Sequence, residues 1–190
     1  MAKLSCKDNA LLNIGMITED AHRIHMTGES IDKIYENGKL VDIIKGHNLV
    51  VNSFLKLVMG LCSGNITSGI GYWAVGSGDK SWDTAPVSPE INASRLTSEI
   101  GRVKILQSDM SFLTEDGNIA YSPTNILQVR HTFGINDCNG EWREFGLFGG
   151  GSATGEANSG IIINKRHHSI ITKTDEMAID RIMRFTLTIV

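Results

Sequence analysis

Residues 141–148 have the sequence Glu-Trp-Arg-Glu-Phe-Gly-Leu-Phe, and they follow a turn-forming stretch, Asn-Asp-Cys-Asn-Gly, at residues 136–140. Bulky aromatic residues at positions 142, 145 and 148, mixed with charges, favour a β-strand that packs one face inward. Another apolar stretch, at residues 124–133, precedes the turn. Because Asn, Asp and Gly favour sharp reversals of the chain, the sequence predicts that the two stretches form a hairpin.

An earlier hairpin is predicted across residues 31–44, where Asn37-Gly38 separates two apolar stretches. Asn-Gly in such a place is the strongest local signal for a hairpin. Four further strands are predicted, at residues 70–75, 102–108, 161–164 and 183–190. In the last of these, the alternation predicts that Phe185, Leu187 and Ile189 face the core.

One short helix is predicted after the first hairpin. Apolar residues recur there at helical spacing, at Phe54, Leu55, Val58, Leu61 and Cys62. Asn52 or Ser53 can cap the start of this helix, because a short polar side chain can accept hydrogen bonds from its first amides.

The composition favours the same fold class. The 190 residues include 20 glycines and three prolines, which suits strands joined by tight turns. We expect a mainly β, sandwich-like module of antiparallel strands with one short helix on its N-terminal side. The module spans residues 47–190. Residues 1–46 form an N-terminal extension with a hairpin, as a docking arm or as an added hairpin.

Charge and cysteine content argue against nucleic-acid and membrane partners and against disulfides or a zinc site. The chain has 18 Lys and Arg against 21 Asp and Glu, so its formal charge of −3 gives no reason to expect nucleic acid or an anionic membrane as a partner. Cys6, Cys62 and Cys138 are odd in number and far apart, so we expect reduced thiols rather than disulfides or a zinc site. No signal peptide and no membrane-spanning stretch is evident, so we expect assembly in a cytoplasm.

The motifs that usually mark catalysis are also missing from the sequence. Gly76-Ser77-Gly78 lacks the third glycine of a phosphate-binding loop and is expected to be a plain turn. No Gly-x-Ser-x-Gly elbow occurs. Two pairs of histidines are expected to point apart on strands, which disfavours a metal site: His22 with His25, and His167 with His168. We therefore expect neither an enzyme, nor a cofactor, nor a metal centre.

Several motifs follow one another in order along the chain. The helix is followed by Tyr-Trp-Ala-Val-Gly-Ser-Gly at residues 72–78, and then by a Glu and an Arg within residues 96–103. Next comes Trp-Arg-Glu-Phe-Gly-Leu-Phe at residues 142–148, and Lys173-Thr174 and the strand from Arg181 close the pattern. This order resembles the N-terminal domain of phage tail-collar fibre proteins and the related short tail proteins of phages and R-type bacteriocins, where Ile is usual in place of Phe145.

The resemblance implies a β-rich structural module of a tailed-phage virion, which attaches adhesive fibres to the tail or baseplate. The partners would be other virion proteins and further copies of the chain, with a trimer favoured. Because no shaft or receptor-binding tip follows Val190, we expect an adaptor. The partner-facing residues are expected to be Trp82, Trp142, Arg143 and Phe148, since aromatic residues and Arg dominate interfaces.

Two other functions are left open by the sequence. The chain could belong to a capsid-surface or neck and collar fibre rather than to the tail. It could also be a carbohydrate-binding module, because β-sandwiches with exposed Trp and Tyr often stack on sugar rings.

Overall fold

A computed structural model describes residues 24–189, which contain eleven β-strands and one α-helix. The strands are β1 (Ile24–Glu36), β2 (Lys39–His47), β3 (Leu49–Val50), β4 (Ile70–Gly76), β5 (Glu99–Lys104), β6 (Met110–Leu113), β7 (Ile119–Ala120), β8 (Ile126–Phe133), β9 (Gly140–Gly149), β10 (Ile161–Lys173) and β11 (Met177–Ile189). The helix α1 is Ser53–Cys62, and short 3-10 helices lie at Lys80–Asp83 and Gln107–Asp109.

The strands form two antiparallel sheets that pack face to face. The first sheet has the order β2-β1-β11-β8-β6-β7, and the second has the order β3-β10-β9-β4-β5. Their facing side chains form one core. Two aromatic pairs lie edge to face in it, Phe133 with Trp142 at 5.0 Å and Trp73 with Phe145 at 5.8 Å between ring centroids. The mainly β, sandwich-like fold predicted from the sequence is confirmed.

The hairpin predicted around Asn37-Gly38 is confirmed as β1 and β2. Asn37 and Gly38 have φ angles of 48° and 76°, the left-handed conformation that a two-residue hairpin turn needs. On its other side, β1 pairs with β11 along its whole length, from Ile24 opposite Ile189 to Glu36 opposite Met177. The boundary predicted at residue 46 therefore falls inside one sheet, and residues 24–46 are an integral part of the sandwich.

The hairpin predicted for residues 124–148 is wrong, although both of its strands exist. β8 pairs with β6 and β11 in the first sheet, whereas β9 pairs with β4 and β10 in the second. The turn between them is tight, with φ angles of 52° at Cys138 and 140° at Gly140, but it carries the chain from one sheet to the other. Turn residues specify a reversal of the chain and not the neighbour with which each strand pairs.

Helix α1 is confirmed, but its predicted side-chain cap is not. Asn52 occupies the position before the helix without a capping hydrogen bond from its side chain. Its Nδ2 atom donates instead to Oδ1 of Asn92 at 2.8 Å, and the hydroxyl of Ser53 donates to the carbonyl of Ile162 at 2.7 Å. The start of the helix is thus tied to a loop and to β10.

The later strands differ in extent from the prediction. β5 begins three residues before residue 102, and β10 continues nine residues beyond residue 164. In β11, Phe185 is buried as predicted, but Leu187 and Ile189 are 41% and 73% exposed. Alternation identifies the face of a strand, but it does not show how far the covering layer extends.

The second sheet is covered on both faces. Its inner face contacts the first sheet, and its outer face carries a second apolar cluster of Val51, Ala74, Leu96, Phe148 and Ile162. Leu96 comes from the segment that precedes β5, so this segment lies over the sheet. As a result every residue of β9 from Trp142 to Gly149 is buried.

Candidate interaction surfaces

Two of the residues predicted to face a partner, Trp142 and Phe148, have no exposed surface. Trp142 lies on the inner face of β9 against Phe133, and Phe148 lies on the outer face, where the guanidinium of Arg102 covers its ring at 4.7 Å. Side chains with no exposed surface cannot contact a partner of the folded chain. The prediction is wrong for both residues, because β9 is a central strand with two covered faces.

Arg143 and Trp82 are likewise buried within the chain. Arg143 donates to both carboxylate oxygens of Asp83, at 2.6 and 3.0 Å, and to Glu141 at 2.8 Å. These hydrogen bonds raise the pKa of Arg143 and lower that of Asp83. Trp82 stacks on His167 with ring centroids 3.7 Å apart. Both residues therefore hold the turn at Lys80–Asp83 against β9 and β10, rather than face a partner.

Glu144, in the middle of β9, anchors the segment that covers the second sheet. Its carboxylate accepts hydrogen bonds from the backbone amides of Thr97 and Ser98, at 3.0 and 2.8 Å. Lys165 of β10 supplies the counter-charge, with its Nζ atom 2.9 Å from the carboxylate, and also donates to the carbonyl of Arg95 at 3.3 Å. The buried ion pair thus binds one segment of backbone from two sides.

A second buried ion pair anchors the loop between β9 and β10. Glu99 and Arg102 of β5 pair through two hydrogen bonds of 2.6 and 2.8 Å. Glu99 also accepts from the amide of Asn158 at 2.7 Å, and Arg102 donates to the carbonyls of Thr154 and Ser159 at 2.9 and 3.1 Å. The charged residues of the motifs at residues 96–103 and 142–148 therefore hold covering loops in place.

A third ion pair lies between the two sheets. Arg181 of β11 has no exposed surface, and it donates to both oxygens of Asp32 in β1, at 2.6 and 2.8 Å. Its guanidinium lies 4.0 Å from the centre of the Phe145 ring. Sequence reasoning missed this pair, yet a signal existed: Arg181 precedes Met183 and Phe185 by two and four residues, and so shares their inward face.

His168 lies beside this pair on the inner face of β10. Burial, and then the charge of Arg181, lower the pKa of His168 to about 4. Its Nδ1 atom lies 2.7 Å from the carbonyl oxygen of Ser169, which assigns the ring proton to Nδ1. The imidazole is therefore neutral near pH 7.

The histidines within residues 24–189 are not arranged as metal ligands. His167 stacks on Trp82 at the outer face of β10, whereas His168 lies 5.9 Å from the Phe145 ring on the inner face, so the pair diverges as predicted. His25 is exposed, and His22 lies outside the described residues. Within residues 24–189, no three His, Cys, Asp or Glu side chains are placed to hold a metal ion.

The two described cysteines differ in reactivity. Burial raises the pKa of the Cys138 thiol to about 11, so this residue forms little thiolate near neutral pH. Cys62, at the end of α1, is exposed and has a free thiol. Cys6 lies outside the described residues.

The edge strand β2 exposes a group of apolar side chains. It has nine residues, and among the strands of residues 24–189 it pairs only with β1, at the end of the first sheet. Leu40, Val41 and Ile43 are 50%, 54% and 45% exposed. Long edges of this kind are suited to contact with another chain.

The backbone of β2 is partly occupied within the chain. The amide of Ile43 donates to the carboxylate of Asp42 at 2.7 Å, and the carbonyl of Lys45 accepts from Arg166 at 3.3 Å. A bulge opposite Ile34 and Tyr35 also interrupts the ladder to β1. Such features disfavour the pairing of a continuous strand from another chain with β2. Contact through the apolar side chains of β2 is therefore the favoured mode.

The comparisons identify no relative: no family model, no curated protein and no solved structure matches the chain. None of the helices within residues 24–189 is both long enough and apolar enough to cross a lipid bilayer. The function is therefore inferred from the geometry together with the order of motifs.

Proposed function

We propose that the protein is a structural component of a tailed-phage virion, an adaptor that attaches fibre subunits to the tail or baseplate. Two things support this role. The order of motifs resembles tail-collar fibre proteins, and the charged residues of those motifs, Glu99, Arg102 and Glu144, form the buried ion pairs that hold the covering loops. These ion pairs fix the covering loops on the second sheet.

The observation that carries the proposal is the apolar edge strand β2. The second sheet is covered on both faces, whereas Leu40, Val41 and Ile43 are left exposed together on one edge. Exposed apolar side chains grouped in this way mark surfaces where proteins meet. In the proposed adaptor this edge contacts a neighbouring subunit, and a trimer remains the favoured assembly.

Of the alternatives, the carbohydrate-binding module has less support. All three tryptophans of the chain, Trp73, Trp82 and Trp142, are buried, so none offers an open ring face to a sugar. A position in the capsid surface, neck or collar fits the same surface as a position in the tail. Labelling of virus particles, described below, separates these positions.

Light scattering of the purified chain, with and without substitutions in β2, tests the adaptor proposal. We expect the unsubstituted chain to form a discrete oligomer, with the trimer favoured. We expect the double variant Val41→Lys with Ile43→Lys to be a monomer, because a charge placed in an apolar contact must lose its hydration. Ile135→Lys is the control, since Ile135 is 52% exposed and lies outside β2, in the turn between the sheets. A monomer at all concentrations, or an oligomer that survives both β2 substitutions, would count against this surface.

An antibody against the purified chain tests the position in the particle. Electron microscopy of virions from the phage that encodes the chain should show label at the end of the tail. Label on the capsid or at the neck would favour the alternative positions, and particles without label would overturn the virion role.

A further inference from the structure

Lys173, the last residue of β10, is buried without an ion-pair partner among residues 24–189. It is 1% exposed, and its Nζ atom donates to the side-chain oxygen Oδ1 of Asn139 at 2.6 Å. Lys165, by contrast, is buried beside the carboxylate of Glu144. A buried ammonium group without an ion-pair partner is unfavourable, so the surroundings of Lys173 favour the neutral amine.

The pKa of Lys173 reflects these surroundings. Burial is the largest influence and lowers the pKa, whereas the charges of Asp137, Cys138 and Asp175 raise it by less. A lower pKa increases the fraction of neutral amine, and the neutral amine is the form of lysine that attacks a carbonyl carbon. Lys173 therefore has the character of a nucleophile, and the side-chain amide of Asn139 lies within its reach.

The side chain of Asn139 is held with its carbonyl oxygen towards this amine. Its Nδ2 atom donates to the backbone carbonyl of Ile135 at 2.8 Å, which leaves Oδ1 as the acceptor for Lys173. Gly140, the next residue, lies opposite Lys173 in the pairing of β9 with β10. The strand pairing and the hydrogen bond to Ile135 therefore both hold the amide beside the amine.

The distance between the two groups suits a reaction. The amide carbon Cγ of Asn139 is one C=O bond, about 1.23 Å, from Oδ1. Because Nζ of Lys173 lies 2.6 Å from Oδ1, the distance from Nζ to Cγ is at most about 3.8 Å. Reacting atoms in near-attack positions are about 3–3.5 Å apart. Nζ is therefore within a few tenths of an ångström of the distance at which an amine attacks a carbonyl carbon.

A carboxylate that can move a proton lies two residues before Asn139. Asp137 accepts a hydrogen bond from the backbone amide of Gly134 at 2.8 Å, which holds it in the turn. Of the neighbouring charges, that of Asp137 acts most strongly on Lys173. A carboxylate near a reacting amine can take up its proton and pass it to the leaving group. The turn thus brings together an amine, an amide and a proton carrier.

We propose that Lys173 and Asn139 form an isopeptide bond, which covalently joins the end of β10 to the turn between β8 and β9. The bond from Nζ to Cγ forms, the bond from Cγ to Nδ2 breaks, and Nδ2 leaves as ammonia. Asp137 carries the proton from Nζ to Nδ2. No electrons are gained or lost, so the step needs neither an oxidant nor a cofactor. The proposal goes beyond the adaptor role and does not depend on it.

The mass of the purified full chain under denaturing conditions tests the bond. Loss of ammonia should lower the mass by about 17 Da from that of the sequence. After cleavage by trypsin, fragmentation should show the peptide of residues 131–143 joined to that of residues 167–181, because trypsin does not cut at a linked Lys173. The full mass of the sequence, with these peptides separate, would overturn the proposal.

Substitutions distinguish this bond from another loss of ammonia. An Asn-Gly sequence, as at Asn139-Gly140, can also lose ammonia by attack of its own backbone amide, a reaction that needs no lysine. We therefore expect Lys173→Arg and Asn139→Ala to keep their full mass. Asn136→Ala, in the same turn, is the matched control and should still lose ammonia. A loss of about 17 Da that persists in Lys173→Arg would overturn the proposal.

Asp137→Asn tests the proton carrier. The new side chain keeps an oxygen that can accept from the backbone amide of Gly134, but it cannot take up a proton from Nζ. We expect this variant to keep its full mass, while the amide of Gly134 exchanges with solvent as slowly as before. Complete linkage in Asp137→Asn would overturn the role given to Asp137.

Discussion

At the residue scale, the main feature is the number of charged side chains inside the fold. Asp32, Glu144 and Arg181 are fully or almost fully buried, and each has a partner of opposite charge. A buried ion pair adds little net stability over an apolar pair, but the loss of one member leaves a charge without a partner. Such pairs are therefore expected to select one arrangement of strands.

Arg181→Met tests the pair between the sheets. Because Asp32 would keep a buried negative charge without its partner, we expect the free energy of unfolding to fall by about 3–5 kcal/mol. Arg184→Met, on the opposite face of the same strand, should change it by less than about 0.5 kcal/mol. Urea unfolding measures both. If Arg181→Met lowers the free energy of unfolding no more than Arg184→Met does, the ion pair of Arg181 with Asp32 does not stabilise this arrangement of strands. The double variant Asp32→Leu with Arg181→Met should recover part of the loss.

His168 should make the stability depend on pH. Its pKa is about 4 in the folded chain and about 6.5 when unfolded, so the unfolded state binds more protons between these values. Stability is therefore greatest above pH 6.5 and falls as the pH is lowered towards 4, by on the order of 3 kcal/mol. Unfolding at several pH values should show a weaker dependence in His168→Phe than in His25→Gln, an exposed control. If the free energy of unfolding depended equally on pH in both variants, His168 would not be the source of the dependence.

At the scale of elements, loops of this protein are fixed by strands rather than by their own composition. Glu144 of β9 holds the segment at residues 97–98, and Glu99 and Arg102 of β5 hold the loop at residues 154–159. These loops in turn bury the outer face of the second sheet. Strand and covering loop therefore stabilise each other.

Glu144→Gln tests the coupling between strand and loop. The amide side chain can accept fewer hydrogen bonds and leaves Lys165 without its counter-charge, so we expect a loss of about 2–4 kcal/mol in stability. The amides of Thr97 and Ser98 should also exchange with solvent faster than before. Glu141→Gln is the matched control, because Glu141 lies on the same strand and is exposed. Unchanged exchange at both amides would show that another contact holds the segment.

At the scale of the whole molecule, the first sheet joins the two ends of the described chain. β1, near the start, pairs over 13 residues with β11, near the end. The core draws on both sheets, since Phe133 belongs to one and Trp142 to the other. The described residues are therefore expected to unfold as one unit.

Native-state hydrogen exchange tests this unity in the full chain. The slowest amides of β1 should exchange with the same free energy as those of β9 and β10, because breaking the pairing of β1 with β11 also opens the core. The amides of β2, at the edge, should exchange faster. If β1 opened at a much lower free energy than β9, the boundary predicted at residue 46 would describe a separate folding unit after all.

The sequence by itself determined the features that depend on neighbouring residues. Strand-like patterns and turn residues predicted the β class, the hairpin at Asn37-Gly38 and the strands β4, β8 and β9, and apolar residues at helical spacing predicted helix α1, because these patterns act over a few residues. They also predicted that His167 and His168 point to opposite sides.

Only the tertiary structure decided what depends on distant parts of the chain. β8 and β9 pair with strands distant in the sequence, each in a different sheet. The covering of the second sheet on both faces buries Trp82, Trp142, Arg143 and Phe148. Local sequence shows that a residue suits a surface or a core, but whether it is covered depends on loops distant in the sequence. For the same reason, local sequence could not predict that the edge strand β2 is exposed whereas β9 is buried.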